Sequence, residues 1–121
     1  MSKQEDLARV INEMRRSIPE LFGAMIASVD GLPIAHDLPD GESERLAAMA
    51  ATALGLGKRI TERTNLGDLH ETVVRGDRGY LVVYSAGQNG ILVISGPITS
   101  NLGLMRIEAR SAAHVVSQVL R

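Results

Sequence analysis

Apolar residues recur along the chain first at helical and then at strand spacing. Leu7, Val10, Ile11 and Met14 stand at i, i+3, i+4 and i+7, one face of an amphipathic helix. Ser2 and Glu5 have the spacing of a capping box ahead of it. Arg9, Asn12, Glu13, Arg15 and Arg16 make its wet side, and Pro19 stops it. Residues Ala24–Val29 are apolar almost without alternation, as in a strand covered on both faces. Asp30-Gly31 is a two-residue hairpin signal. Leu32–His36 is the returning strand, and Pro33, which cannot donate to a ladder, assigns it to a sheet edge.

Asp37–Glu42 is turn-rich. Glu42 and Glu44 put acidic charge at a helix start, where the macrodipole favours it. That helix is predicted over Ser43–Arg63, free of proline and rich in alanine. Asn65–Asp68 reads as a loop and Leu69–Arg75 as a strand with polar members on both faces. Tyr80–Ser85 and Ile91–Ser95 are buried strands, set apart by the turns Gly76–Gly79 and Gly87–Gly90 and closed by Pro97. Asn101 caps a last helix, Leu102–Leu120. Its stripe Leu102, Met105, Ala109, Ala113 and Val116 faces the sheet, leaving Leu104, Ile107 and Val115 to cover the first helix. The order αββαβββα implies an α/β (α+β) fold: a five-stranded, largely antiparallel sheet with helices on both faces.

Composition narrows the function. The 121 residues make a single domain, 1–121. Thirteen basic against fourteen acidic residues give a net charge of −1, which lacks the electrostatic footprint of a nucleic-acid binder. No apolar run reaches the roughly 18 residues of a membrane span. The N-terminus MSKQEDLARV lacks the apolar core of a signal peptide, so a cytoplasmic protein is expected. Cysteine is absent, which removes disulfides, thiolate metal sites and a cysteine nucleophile. One Phe, two Tyr and no Trp leave few stacking surfaces of the kind ligand pockets use.

Candidate chemistry is sparse. His36, His70 and His114 sit on three different elements, with no second ligand at i+2 or i+4. Gly55-Leu56-Gly57-Lys58 faintly resembles a phosphate loop, but Thr52 and Arg59 occupy the positions where that motif needs Gly and Ser/Thr. Ser28 and Ser95 lie in strands without a nucleophile elbow. No catalytic, cofactor or metal site is expected.

The middle helix is different. Leu46, Met49, Ala53, Leu56 and Ile60 form one stripe, read as facing the sheet. Ala47, Ala50, Ala51 and Leu54 form a second beside it. Together they exceed the roughly 100° arc of a helix resting on one layer. Small side chains permit close helix approach, so the second stripe is expected to meet another chain. The strand Leu69–Arg75 carries His70, Glu71, Thr72 and Arg75 and is too polar for a sheet centre; His70, Thr72 and Val74 are its expected interface residues. As an edge it would pair across a two-fold axis.

Element order, the segment GAMIASVDGLPIA, and RGDRGYLVVYSAGQNGILVISGP followed by NLGLMRIEAR resemble a roadblock domain of the dynein light-chain type. The bacterial and archaeal stand-alone forms, which include a gliding-motility regulator, are the most similar. The resemblance implies a profilin-like sheet with the middle helix on one face and the terminal helices on the other. It implies a homodimer through the middle helix and third strand, no shared catalytic residues, and a small Ras-like GTPase as partner. On that orientation, Arg45, Lys58, Arg59 and Glu62 form the charged rim of a GTPase-docking face. The function so implied is non-catalytic regulation of the GTPase cycle. The alternative is a structural adaptor without effect on GTP turnover.

Overall fold

A computed structural model describes residues 2–39 and 41–121. Met1 and Asp40, the latter inside the turn-rich segment 37–42, lie outside the described residues. The elements are α1 (Lys3–Ser17), β1 (Gly23–Ser28), β2 (Pro33–His36), α2 (Glu42–Arg63), β3 (Glu71–Arg75), β4 (Gly79–Ala86), β5 (Gly90–Pro97) and α3 (Leu102–Val119). Each expected element is present, with ends shifted by one or two residues. The Ser2 hydroxyl accepts from Glu5 N–H at 3.1 Å and the Glu5 carboxylate reaches back, closing the capping box. Asn101 caps α3 by accepting from Leu104 N–H at 3.0 Å.

All strands pair antiparallel in the order β2-β1-β5-β4-β3. Both expected edge strands, β2 and β3, are edges. Pleating splits the apolar residues between two layers. Ala24, Ile26, Val82, Tyr84, Leu92 and Ile94 pack with α1 and α3. Met25, Ala27, Val83, Ile91 and Val93 pack with α2. The near-continuous apolar runs of β1 and β5 follow from this double coverage.

Two local expectations change. The β1–β2 connection is a three-residue loop, Val29–Gly31: Ser28 N–H donates to Leu32 O at 2.8 Å, and Gly31 N–H to Ser28 O at 3.0 Å. Only Gly31 in this loop has a positive φ (90°), whereas the two-residue turn signalled by Asp-Gly needs both residues there. On α3, of Leu104, Ile107 and Val115, the three residues expected to cover α1, only Val115 lines the groove against that helix. Ile107 is 67% exposed, and Ala112 joins Val115 beside Val10 and Met14 in the α1–α3 seam. The Arg15 guanidinium ties the end of α1 to the sheet: it bonds the Leu21 and Phe22 carbonyls and pairs with Asp37, which accepts from Ala24 N–H.

Candidate functional site

The α2 face of the sheet reverses the expected roles of the two stripes. Ala47, Ala50 and Leu54 are 0, 2 and 3% exposed and lie on the sheet, and Ala51 packs partly buried against the same cluster. They are the domain's own core and cannot meet a second chain. Of the stripe assigned to the sheet, only Leu46 is partly buried against it. Met49, Leu56 and Ile60 are 61, 53 and 51% exposed, and Ala53 is half-buried between them.

The reason is how close the helix lies. Ala48 Cα would stand 3.3 Å from a Cβ built on Gly31, and a Cβ on Gly57 would meet Leu69 at 2.9 Å and Thr72 at 3.0 Å. Small residues and one buried leucine, Leu54, fit beneath a helix at that separation. The large apolar side chains therefore take the outer side. Thr52, among them, turns its hydroxyl onto Ala48 O at 2.9 Å, so the stripe stays apolar.

Gly57 also brings this helix down onto β3, the open edge. Register places Thr72 and Val74 on the α2 face of that strand, opposite Val83 and Leu81. Val74 is 52% exposed, so the outer surface of α2 continues in apolar character onto the edge strand. His70 is exposed just before β3 and points to a different neighbour, described below.

Arg45, Lys58, Arg59 and Glu62 are all exposed. At 100° per residue, Arg45 and Arg59 border the Met49–Leu56–Ile60 stripe, while Lys58 and Glu62 fall on the opposite flank of the helix. The structure thus divides these four between two sides of α2.

On the other face of the sheet, β3 is held by a network that sequence inspection did not single out. The Tyr84 hydroxyl donates to Glu71 Oε1 at 2.8 Å, with the Arg106 carbonyl 3.2 Å away. Glu71 Oε2 pairs with Arg106 Nε at 2.7 Å. This joins the edge strand to its neighbour and to α3. Its only sequence signal was an acidic residue in a strand beside tyrosine. Burial, then the Glu71 carboxylate, push the Tyr84 phenol above its ordinary value. The same carboxylate raises Arg106. A phenol with a raised folded pKa contributes stability that is present below about pH 10 and lost as pH climbs through the folded value. Alkaline absorbance titration of Tyr80→Phe, which leaves Tyr84 alone, should give a midpoint above that of free tyrosine. A midpoint at or below it would contradict the network.

Among the described residues, no three His, Cys, Asp or Glu side chains come together as a metal site. No helix there is long and apolar enough to cross a membrane.

Comparison with known proteins matches residues 9–95 to the Roadblock/LC7 domain model. The chain belongs to the Roadblock/LC7 domain family. It is 35% identical over 109 residues to the uncharacterized protein MJ1340 of Methanocaldococcus jannaschii, covering 89% of this chain and 94% of that one. Among solved structures, the gliding protein MglB of Thermus thermophilus is similar with a TM-score of 0.88 at 20% identity, over 99% of this roadblock chain and 92% of that chain. Profilin IA of Acanthamoeba castellanii is similar with a TM-score of 0.61 at 15% identity, over 92% and 97%. The roadblock sheet with helices on both faces is thus a profilin-like fold.

Proposed function

We propose that this roadblock protein is a non-catalytic homodimer that docks a small Ras-like GTPase and alters its nucleotide cycle, and through it cell polarity, motility or signalling. The observation that carries this reading is the uncovered apolar stripe Met49, Ala53, Leu56 and Ile60, running toward an edge strand whose Val74 is also exposed. Among the described residues of one chain, nothing covers it. A second copy related by a two-fold axis brings the same stripe and the same edge. The family resemblance supports the GTPase as the further partner, and the likeness to a gliding protein agrees with a role in motility.

With the stripe covered by its mate, Arg45 and Arg59 stand at the border of the seam and Lys58 and Glu62 on the far flank of α2, the charged residues proposed to meet the GTPase. Such a partner acts by fixing loops of the GTPase that the nucleotide only partly orders, and need supply no catalytic group. Arg59→Glu and Lys58→Glu are expected to weaken GTPase binding about tenfold while leaving the dimer intact, mainly through association rate. Arg9→Glu and Arg16→Glu on α1 should change it little. The loss should shrink at high salt, because exposed charges are screened.

The deciding experiment measures GTP turnover by a small Ras-like GTPase from the same genome, with and without this protein. A changed rate supports regulation. Binding with an unchanged rate supports the adaptor reading. Hydrolysis of GTP by the protein alone would oppose a non-catalytic role; single alanine changes at Ser28, His36, His70 or His114 are expected to abolish no activity of the isolated protein.

A further inference from the structure

A cavity of about 530 Å³ lies on the opposite side of the sheet from α2. It is bounded by His70 before β3, Tyr84 of β4, the β4–β5 turn at Gly87, and Arg110, His114 and Ser117 of α3. The two histidines are 44 residues apart in sequence (114 − 70). They line one cavity because α3 packs across β4, the strand paired with β3.

The lining is basic, with one guanidinium and two imidazoles. Arg110 has no ion-pair partner and His70 no side-chain hydrogen bond among the described residues. The Nε2 atoms of His114 and Gln118 are 3.3 Å apart, which makes the imidazole the acceptor there and leaves its proton on Nδ1. The carboxylates of β3 and α3 are placed elsewhere. Glu71 is taken by Arg106 and Tyr84, and Glu108 lines the groove between α1 and α3. The wall is also closely built: a Cβ on Gly87 would stand 2.9 Å from Ser117 Cβ.

We propose that this cavity binds a small phosphate-bearing solute, with its phosphoryl group held by Arg110, His70 and His114. A guanidinium and two imidazole N–H groups are donors that match the oxygens of an oxyanion. The volume lies within the roughly 300–1,000 Å³ of small-molecule sites and exceeds what a phosphate alone fills, so an organic remainder fits beside it. The one phenol ring in the lining, Tyr84, already spends its hydroxyl on Glu71. The headgroup is therefore the recognised part. A bound ligand would brace the start of β3 against α3, on the strand whose other side is the open edge.

The test is a histidine imidazole NMR titration of the whole protein at constant ionic strength, with inorganic phosphate, sulfate and glycerol 3-phosphate as probes. Saturable shifts of His70 and His114 are expected, with His36, which accepts from Leu38 N–H elsewhere, unmoved. Arg110→Gln should weaken binding about tenfold or more. Arg110 is exposed, so this variant keeps the fold. Tighter binding of glycerol 3-phosphate than of phosphate supports an organic ligand, and equal binding an inorganic one. Non-saturating shifts, equal movement of His36, or an unchanged affinity in Arg110→Gln would overturn the site.

Discussion

Ala50→Glu should leave the protein unfolded under conditions where the parent chain is stable. Ala50 is 2% exposed and packs with Met25, Val83, Ile91 and Val93 between α2 and the sheet. The helix lies too close to admit a longer side chain, as the contacts at Gly31 and Gly57 demonstrate. Glutamate there adds both overpacking and a desolvated charge without a partner. The cost is about 3–5 kcal/mol or more, against a total stability of about 5–15 kcal/mol for a domain. Far-ultraviolet circular dichroism through a urea series measures it. A cooperative transition at the parent midpoint would mean that α2 does not pack as described.

Leu56→Glu should do the reverse. Leu56 is 53% exposed on the outer side of α2, and glutamate is a good helix former, so the monomer keeps its fold and its urea midpoint changes little. If the stripe is the two-fold seam, the substitution sets two like charges in an apolar contact and costs several kcal/mol of association. Sedimentation equilibrium at micromolar concentration should then give the mass of one chain for the variant and two for the parent. An undiminished dimer in Leu56→Glu would move the interface off this helix. Read together, the two variants separate folding from association on one helix, six residues apart.

The contrast between them also marks how far the chain could be read without coordinates. Element order, both sheet edges and the Ser2 and Asn101 caps were legible, because capping, turn chemistry and apolar periodicity are local properties. The apolar arc of α2 was visible for the same reason. Which half of the arc faced inward was not. Bulk argued for Met49, Leu56 and Ile60 inside, but the separation of helix and sheet decided otherwise. The cue for that separation was present in the small residues Gly31, Ala47, Ala50 and Gly57, which matter only once the hairpin and the helix are known to touch. The meeting of His70 with His114, and of Glu71 with Arg106, needed the sheet order as well, since no local spacing brings a strand and a helix more than thirty residues apart together.

The two sheet edges differ in a way that bears on how large an assembly can become. β2 has four residues, begins with Pro33 and pairs across an irregular register beside Ile26 and Ala27, devices that discourage a further strand. β3 has no proline and pairs in unbroken register from Glu71 to Arg75. Lateral growth through β3 therefore terminates after a single addition. Two protomers joined there consume both receptive edges and turn the two proline-blocked ones outward, so the ribbon ends in a pair and does not propagate into a fibre.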